Sequence, residues 1–249
     1  MAPSGGGSGD HQSAVELLWG QRPQPKRGPR PALSLEAIAR TGIEIADAEG
    51  LAAVTMQRVA GALGFTKMSL YRYVPGKVEL VALMTEMGIG EPPRLDAVAG
   101  GWRPKLDEWA RQMFDRFRRH PWTLETTVGA RVMGPRELGW LEQAVSALAG
   151  TGLNGGEMLD VVVTLVGHVR SIAQQDAAMA GHAPEQAIDA ALGALLRGRE
   201  DRFPALAAAL DSAVEHAAQD QALDFGLCCI LDGVELLINA RARSEAPPG

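Results

Sequence analysis

Apolar residues recur every three or four positions along most of the chain, which is the spacing of one face of an α-helix. Between residues 34 and 87 this pattern is divided by capping and turn residues. Ser34 is an N-cap candidate, Gly50 is a natural stop, and Thr55 and Thr66 each stand before a short helical stretch. The predicted helices here are 35–49, Met56–Leu63, Lys67–Tyr73 and one that starts at Lys77 and runs through Met87.

The rest of the chain shows the same helical period. No segment alternates apolar and polar residues for long enough to form a sheet. The predicted fold class is therefore all-α. The further predicted helices are 102–119, 135–149, 155–180, 184–197, 203–218 and 222–241, with Gly and Pro in the breaks between them.

Composition sets the expected domain limits. Residues 1–33 form an arm rich in Gly, Pro, Ser and basic residues that we expect to be disordered, although Ala14–Trp19 has a short helical pattern. A Pro/Gly-rich stretch at 88–101 separates a domain at 34–88 from a larger helical domain at 89–243. Residues 244–249 are an expected disordered tail.

Charge is distributed unevenly along the chain. The net charge of −6 argues against nucleic acid as a partner, but residues 22–85 carry nine Lys/Arg against five Asp/Glu. Residues 86–249 carry fifteen basic and twenty-three acidic groups. A basic segment on an acidic body presents one face to polyanions.

Composition also excludes several classes of protein. Two cysteines, Cys228 and Cys229, rule out a disulfide scaffold, and we expect a buried pair of reduced thiols. The apolar run around Val161–Val163 is far shorter than the ~18 residues that a transmembrane helix needs, and the N-terminus lacks the apolar core of a secretory signal. We expect a soluble, cytoplasmic protein.

Residues 55–73 give the most specific pattern in the chain. A short helix, a turn at Gly64 and a second short helix form the helix-turn-helix arrangement. Glycine can adopt the positive φ of such a turn, and Val59, Leu63 and Leu70 provide an apolar seam. The second helix carries groups suited to phosphates and base edges: Lys67, Met68, Ser69, Tyr71, Arg72 and Tyr73. An ordinary helical hairpin with solvated charges is the alternative.

Residues 34–84 resemble the DNA-binding domain of the tetracycline-repressor (TetR) family over about fifty residues without a gap. Farther along, Trp102 to Trp122 and the Leu223–Leu227 segment with Asp232-Gly233 resemble the family's regulatory domain. The resemblance implies a ligand-responsive transcriptional regulator, most commonly a repressor. Its most specific motifs are Ala48-Glu49-Gly50-Leu51, Val59-Ala60 to Leu63-Gly64, and Ser69-Leu70-Tyr71-Arg72-Tyr73-Val74 followed by Gly76-Lys77.

The resemblance implies roles for individual residues. Thr55 caps the positioning helix and contacts phosphate, while Lys67 can donate to guanine and Met68 can contact a methyl group. Lys77 binds phosphate at a helix N-terminus. The implied DNA-binding residues are Thr55, Gln57, Arg58, Thr66, Lys67, Met68, Ser69, Tyr71, Tyr73 and Lys77. Lys26, Arg27 and Arg30 lie in a Pro-stiffened stretch that either enters a minor groove or is a solvated linker.

The C-terminal helices indicate a dimer. Residues 155–180 are apolar almost all round, and 222–241 repeat apolar residues from Leu223 to Ile238. Two such helices from each protomer would form a four-helix interface, which the resemblance also implies. A two-fold homodimer predicts a pseudo-palindromic operator with recognition helices ~34–36 Å apart. The alternative is that these helices fill a monomer core.

A mostly hydrophobic ligand is expected between the middle helices. Large apolar side chains with few polar groups suit such a ligand, although each residue can instead be plain core. The candidate ligand-binding residues are Trp109, Met113, Phe117, Trp122, Met133, Trp140, His168 and Gln174, with Arg170 and Gln175 as further polar anchors. Binding would shift the spacing of the DNA-binding domains through the helix from Lys77 to Met87.

An enzyme and a helical small-molecule-binding dimer without specific DNA binding are the rival functions. The sequence contains none of the common nucleophile, zinc-protease, phosphate-loop or dinucleotide motifs, and Gly76-Lys77 is followed by Val78 rather than Ser or Thr. No cofactor is expected. No metal site is expected either, because no His/carboxylate cluster has ligand spacing.

Overall fold

The computed structural model describes residues 7–20, 33–179, 191–215 and 222–245, and within these ranges the chain forms helices and turns without a strand. The all-α prediction is confirmed. The chain divides into two compact units, 1–150 and 151–249. The first unit contains α1 (Gly7–Trp19), α2 (Leu35–Glu49), α3 (Met56–Ala62), α4 (Lys67–Tyr71), α5 (Lys77–Ile89), α6 (Trp102–Arg119), α7 (Thr123–Thr126) and α8 (Pro135–Ala147).

The predicted boundary after residue 88 does not coincide with this division. The reason is α5, which packs against α2 and also against α6, α7 and α8. The second unit contains α9 (Gly155–Ala178), helical residues at 191–196, α10 (Pro204–Glu215) and α11 (Ala222–Glu245).

The predicted caps set the ends of the first helices. Ser34 Oγ accepts a hydrogen bond from the backbone N–H of Ala37 at 3.1 Å, and Gly50 ends α2 with φ +84°. Thr55 and Thr66 are the N-caps of α3 and α4, as predicted. Both helices end one or two residues earlier than predicted.

Helices α2 to α5 surround one apolar core. Ile38, Leu70, Leu80 and Met84 are fully buried in it. Gly42 lets α2 approach α5 closely, since a Cβ at this position would lie 2.6 Å from the Met84 sulfur. This core fixes α4 in place, because a helix of five residues is too short to be stable by itself.

The arm expected to be disordered contains α1, so the expectation is wrong for residues 7–19. The helix packs along α5 and buries Ala14 and Leu17. The Trp19 Nε1–H donates to the backbone carbonyl of Met133 at 2.9 Å. Burial against the domain stabilises a segment that would be marginal alone, which sequence composition does not reveal.

Two tryptophans hold α6 against α8. The rings of Trp109 and Trp140 meet edge to face with centroids 6.1 Å apart. Trp109 Nε1–H donates to the carbonyl of Trp140 at 2.8 Å, and Trp140 Nε1–H donates to the carbonyl of Gly90 at 3.2 Å. Both polar ring atoms are therefore satisfied inside the core.

In the second unit, α9 and α11 run antiparallel. Glu157 in the first turn of α9 pairs with Arg241 near the end of α11, and His168 lies against Leu223 at the start of α11. Asn154 and Glu157 form a capping box at the start of α9. The contact between the helices is apolar and includes Val161, Leu165, Val169, Leu227, Leu231 and Val234.

In the single chain Cys228 and Cys229 are both exposed, so the fold of one protomer does not bury the thiols as expected. They follow Leu227, which faces α9, and successive helical residues are rotated by about 100°, so the two thiols lie on the outer side. Across the described ranges, none of the helices has both the length and the apolarity needed to cross a membrane. Residues 244 and 245 continue α11, and the remainder of the predicted tail lies outside the described residues.

Candidate DNA interface and small-molecule cavity

Helices α3 and α4 form the predicted helix-turn-helix. Gly64 has φ +74° in the turn, and the backbone N–H of Phe65 returns to the carbonyl of Ala60 at 2.9 Å. Val59 and Leu70 of the predicted seam are fully buried, and Leu63 is half-buried. The seam thus fixes the angle between the two helices.

The outer face of α4 carries a cation, a thioether and a phenol. Lys67, Met68 and Tyr71 are exposed, Met68 to 72% of its surface, while Leu70 on the opposite face has no exposure. Lys67 Nζ lies 5.5 Å from the centre of the Tyr71 ring. Exposing the Met68 thioether and the Tyr71 ring to water is unfavourable, so both side chains are available to contact a partner.

Threonines organise the start of both helices. Thr55 Oγ1 accepts from the N–H of Arg58 at 3.1 Å, and Thr66 Oγ1 accepts from the N–H of Ser69 at 3.2 Å. The hydroxyl groups of Thr66 and Ser69 also hydrogen bond at 2.9 Å. Arg58 forms an exposed ion pair with Glu49, which is weak enough to exchange for a phosphate.

Of the remaining predicted DNA-binding residues, some lie within the ranges that the structure describes and others lie outside them. Gln57 and Lys77 are exposed and Tyr73 is half-buried, with Lys77 at the first position of α5. Lys26, Arg27 and Arg30 lie outside the described residues.

The first unit contains a cavity of about 420 Å³ beside the first three turns of α5. Its walls come from α1, α5 and the segment 126–137. The lining is mainly apolar, with Ala14, Val78, Val81, Ala82, Ala130 and Val132 alongside Lys77, Thr85, Glu86, Thr126, Arg131, Gly134 and Glu137.

Glu86 is the most unusual residue of the cavity. Its side chain is buried, with 8% exposure, and its Oε1 accepts from the backbone N–H of Arg136 at 2.7 Å. Its Oε2 is buried and has no hydrogen-bond partner among the described residues. Burial raises the pKa of Glu86, and the backbone N–H groups of Arg136 and Glu137 counteract this in part.

Arg131 faces the same cavity. Its two terminal nitrogens pair with Glu137, while its Nε is buried and has no hydrogen-bond partner within the described ranges. Nearby, the hydroxyl of Thr85 donates to that of Thr126 at 2.8 Å, which ties α5 to α7. Two residues of the cavity lining therefore each carry a buried polar atom, an acceptor on Glu86 and a donor on Arg131, that has no partner among the described residues.

Two family profiles match the chain. The profile described as "Bacterial regulatory proteins, tetR family" matches residues 38–84, which contain the helix-turn-helix. The profile described as "Tetracyclin repressor-like, C-terminal domain" matches residues 93–238, more than half of the chain. The chain belongs to the TetR family.

As a TetR-family member, the chain is a non-enzymatic, dimeric regulator that binds operator DNA and responds to a small-molecule effector. It is 34% identical to the HTH-type transcriptional repressor DrrR1 of Streptomyces coeruleorubidus, over 97% of this chain and 92% of that protein.

Solved structures show the same fold. Apo ActR from Streptomyces coelicolor aligns with a TM-score of 0.70 at 24% identity, over 88% of this chain and 100% of that one. ActR in complex with actinorhodin aligns with a TM-score of 0.71 at 24% identity, over 82% and 96% of the two chains.

The structure does not bring the predicted ligand-binding residues of this TetR-family chain together at the cavity. Trp109, Phe117 and Trp140 are buried in the core of the first unit, and Met113 is half-buried on α6. Met133 is exposed beside the cavity, between the lining residues Val132 and Gly134.

Trp122 lies in the core of the DNA-binding helices instead. It is buried against that cluster, and its Nε1–H donates to Asp47 Oδ1 of α2 at 2.7 Å. A large apolar ring indicates that a residue is buried but not where it is buried. The sequence pattern therefore did not separate a position in the core of the DNA-binding helices from a position in a ligand pocket.

His168 and Gln174 belong to the second unit. The Nε2 of His168 donates to the carbonyl of Leu223 at 3.1 Å, and Gly226 leaves space for the imidazole, which a Cβ would overlap. Gln174 and Gln175 are exposed on α9, and Arg170 is half-buried. Within the described ranges, no group of three or more His, Cys, Asp or Glu could hold a metal ion.

Apolar side chains are exposed on both long helices of the second unit. Val163 on α9 and Phe225 and Leu236 on α11 are each about 70% exposed. On α11, a stripe of apolar and small residues lies on one face, opposite the contact with α9, and comprises Phe225, Cys229, Gly233, Leu236 and Ala240.

Sequence reasoning missed Glu86 and Arg131. A signal for Glu86 exists, because it is a carboxylate three residues after Leu83 and therefore falls within the apolar face of α5. Arg131 has no comparable signal, since its burial depends on how the segment 126–137 folds over α5.

Proposed function

We propose that this chain is a cytoplasmic repressor whose homodimer binds a pseudo-palindromic operator through α4 and is released by a mostly hydrophobic small molecule. The observation that carries the proposal is the exposure of Lys67, Met68 and Tyr71 on a helix held in place by Leu70. Repression is supported by the relative DrrR1, which is named a repressor.

The side chains of α4 fit a mixed contact with the major groove. Lys67 is placed to donate to a guanine edge or a phosphate, and Met68 offers an apolar contact for a thymine methyl. Thr55, Arg58 and Lys77 stand at helix starts, where side-chain and backbone donors favour phosphate. Phosphate contacts orient the protein and the α4 contacts give specificity.

The apolar face of α11 supports the dimer contact. Phe225, Leu236 and, on α9, Val163 are large apolar residues that a second copy would cover. A two-fold dimer places two α4 helices one DNA turn apart, ~34–36 Å, which is why the operator is expected to be pseudo-palindromic.

A small-molecule effector is supported by the cavity in the first unit and by a relative of the same fold. ActR was solved in complex with actinorhodin, and its likeness to this chain concerns the fold. The apolar lining supports a mostly hydrophobic ligand.

The test is a footprint of the purified protein on the DNA that flanks its own gene, followed by affinity measurements at several salt concentrations. We expect protection of a site with two inverted halves, and an affinity that falls steeply as salt rises. Absence of any protected site together with a flat salt dependence would contradict the proposal.

A further inference from the structure

Two residues that line the cavity beside α5 each have a polar atom without a hydrogen-bond partner in the described part of the chain. Glu86 Oε2 is an acceptor and Arg131 Nε–H is a donor, and both are buried. Buried polar atoms are almost always hydrogen-bonded, because each unsatisfied one destabilises the folded state. A molecule bound in the cavity could supply the missing hydrogen-bond partners of both residues.

Neighbouring groups hold the Glu86 and Arg131 side chains in place. Gly134 lies directly against Glu86, and a Cβ at residue 134 would overlap its carboxyl group. Oε1 is already occupied by the N–H of Arg136, which holds the carboxyl group in place. The terminal nitrogens of Arg131 are likewise occupied by Glu137. Both free atoms are therefore held in position before any ligand arrives.

We propose that this cavity is the effector site and that it takes an apolar, ring-sized molecule bearing a hydrogen-bond donor, an ammonium or a hydroxyl group, that reaches Glu86. Val78, Val81 and Val132 would contact the apolar body. An acceptor on the same molecule would meet Arg131. The assignment rests on the proposed function, in which a small molecule releases DNA.

The position of the cavity explains how occupancy reaches the DNA interface. Lys77, a proposed phosphate contact, is also one of the lining residues, and α5 shares its core with α2 and α4. A ligand that fits better when α5 is displaced would shift the population away from the DNA-binding arrangement. The effect on DNA affinity equals the ligand's preference between the two arrangements.

The test uses three fluorescent probes of one shape: 1-pyrenemethylamine, 1-pyrenemethanol and 1-pyrenecarboxylate. Dissociation constants are measured by fluorescence anisotropy on the full chain without DNA. We expect the amine or the alcohol to bind about tenfold or more tightly than the carboxylate, and the tighter of the two identifies the donor.

Substitutions test whether the probes bind in this cavity or elsewhere on the protein. Glu86→Gln keeps the side-chain volume and should weaken binding of the favoured probe by about ten- to hundredfold. Glu125→Gln, an exposed acid on α7, is the matched control and should leave the constants unchanged. Ala82→Trp fills the cavity and should abolish binding of all three probes, while circular dichroism reports whether the variant is folded.

The proposal is overturned if no probe binds at millimolar concentration, if the carboxylate binds as well as the others, or if Glu86→Gln binds the probes like the wild type. Operator affinity without probe is measured in parallel for the wild type and Glu86→Gln. Operator binding without probe binding removes only the effector site, whereas loss of specific DNA binding by the wild type removes the proposed function itself.

Discussion

Asp47 Oδ1 accepts a hydrogen bond from the indole Nε1–H of Trp122, with the two atoms 2.7 Å apart. His120 Nδ1 lies 2.9 Å from the same oxygen. Asp47 belongs to α2, the first helix of the DNA-binding domain, and the two aromatic residues lie between α6 and α7. One carboxylate thus connects the DNA-binding helices to the segment that leads to the cavity.

Replacing Asp47 by Ala should lower the free energy of unfolding by about 1–3 kcal/mol, because the indole N–H of the buried Trp122 loses its hydrogen-bond partner. Urea denaturation measures the loss, and Asp96→Ala, at an exposed carboxylate in a short 3-10 helix, is the control. A double-mutant cycle with Trp122→Phe isolates the pair. If the stability losses of the two single variants add up to the loss of the double variant, the hydrogen bond contributes nothing to stability.

Lys67→Ala should weaken operator binding by about 1–3 kcal/mol and reduce the discrimination between operator and random DNA. Tyr71→Ala should weaken binding as well, while both variants keep the wild-type melting temperature because the two side chains are exposed. Anisotropy titrations with both DNAs measure this. Arg197→Ala removes an exposed cation from the second unit and should have no effect.

Leu17→Ala should detach α1 from α5, because Leu17 carries much of the apolar contact of this helix. If the free energy that holds α1 against α5 falls by about 2 kcal/mol, the protection of its amides from exchange falls roughly thirtyfold. Hydrogen exchange followed by mass spectrometry measures protection in residues 7–19. Val15→Ala, at an exposed neighbour on the same helix, should leave it unchanged.

Glu86 should make stability depend on pH. Since burial raises its pKa in the folded state, the native protein binds this proton more tightly than the unfolded chain does. Its contribution is therefore favourable at low pH and is lost as pH rises from about the ordinary value of 4.5 through the raised pKa.

The comparison with Glu86→Gln isolates this contribution, because Gln does not titrate. We expect the free energy of unfolding of the wild type, relative to the variant, to decrease between pH 4 and pH 7.5 in urea titrations. The nearby charges of Arg136 and Glu137 are common to both proteins. The same comparison with Glu125→Gln, at an exposed site, should show a smaller change or none, and equal curves for the two variants would contradict the prediction.

Leu236→Asp should convert the dimer to a monomer, because a buried unpaired carboxylate at the centre of an apolar interface is strongly unfavourable. Sedimentation velocity measures the change. In a Cys228→Ser background, Cys229 should react with a thiol reagent slowly in the dimer and rapidly in the monomeric variant. Leu138→Asp, at an exposed leucine of the first unit, should remain dimeric.

Local signals made much of the fold predictable. The caps at Ser34, Thr55 and Thr66 and the turn at Gly64 act within a few residues, so the DNA-binding helices follow directly from sequence. The exposed face of α4 follows for the same reason, because helical spacing places Leu70 inward and its neighbours outward.

Features that depend on distant contacts could not be predicted in this way. The docking of α1, the membership of Trp122 in the DNA-binding core and the burial of Glu86 each depend on which surfaces meet. The short helix α7 was also missed, since four residues carry no period. The cavity combines such contacts, which is why the predicted ligand-binding residues and the cavity lining differ.

Of the five residues of α4, Leu70 is the one that is buried in the core. The solvent-facing residues of the helix take no part in that core. Changes at Lys67, Met68 or Tyr71, the proposed DNA contacts, should therefore alter DNA recognition at little cost to folding. This separation between folding and surface chemistry makes the same three positions suitable for engineering orthogonal genetic switches.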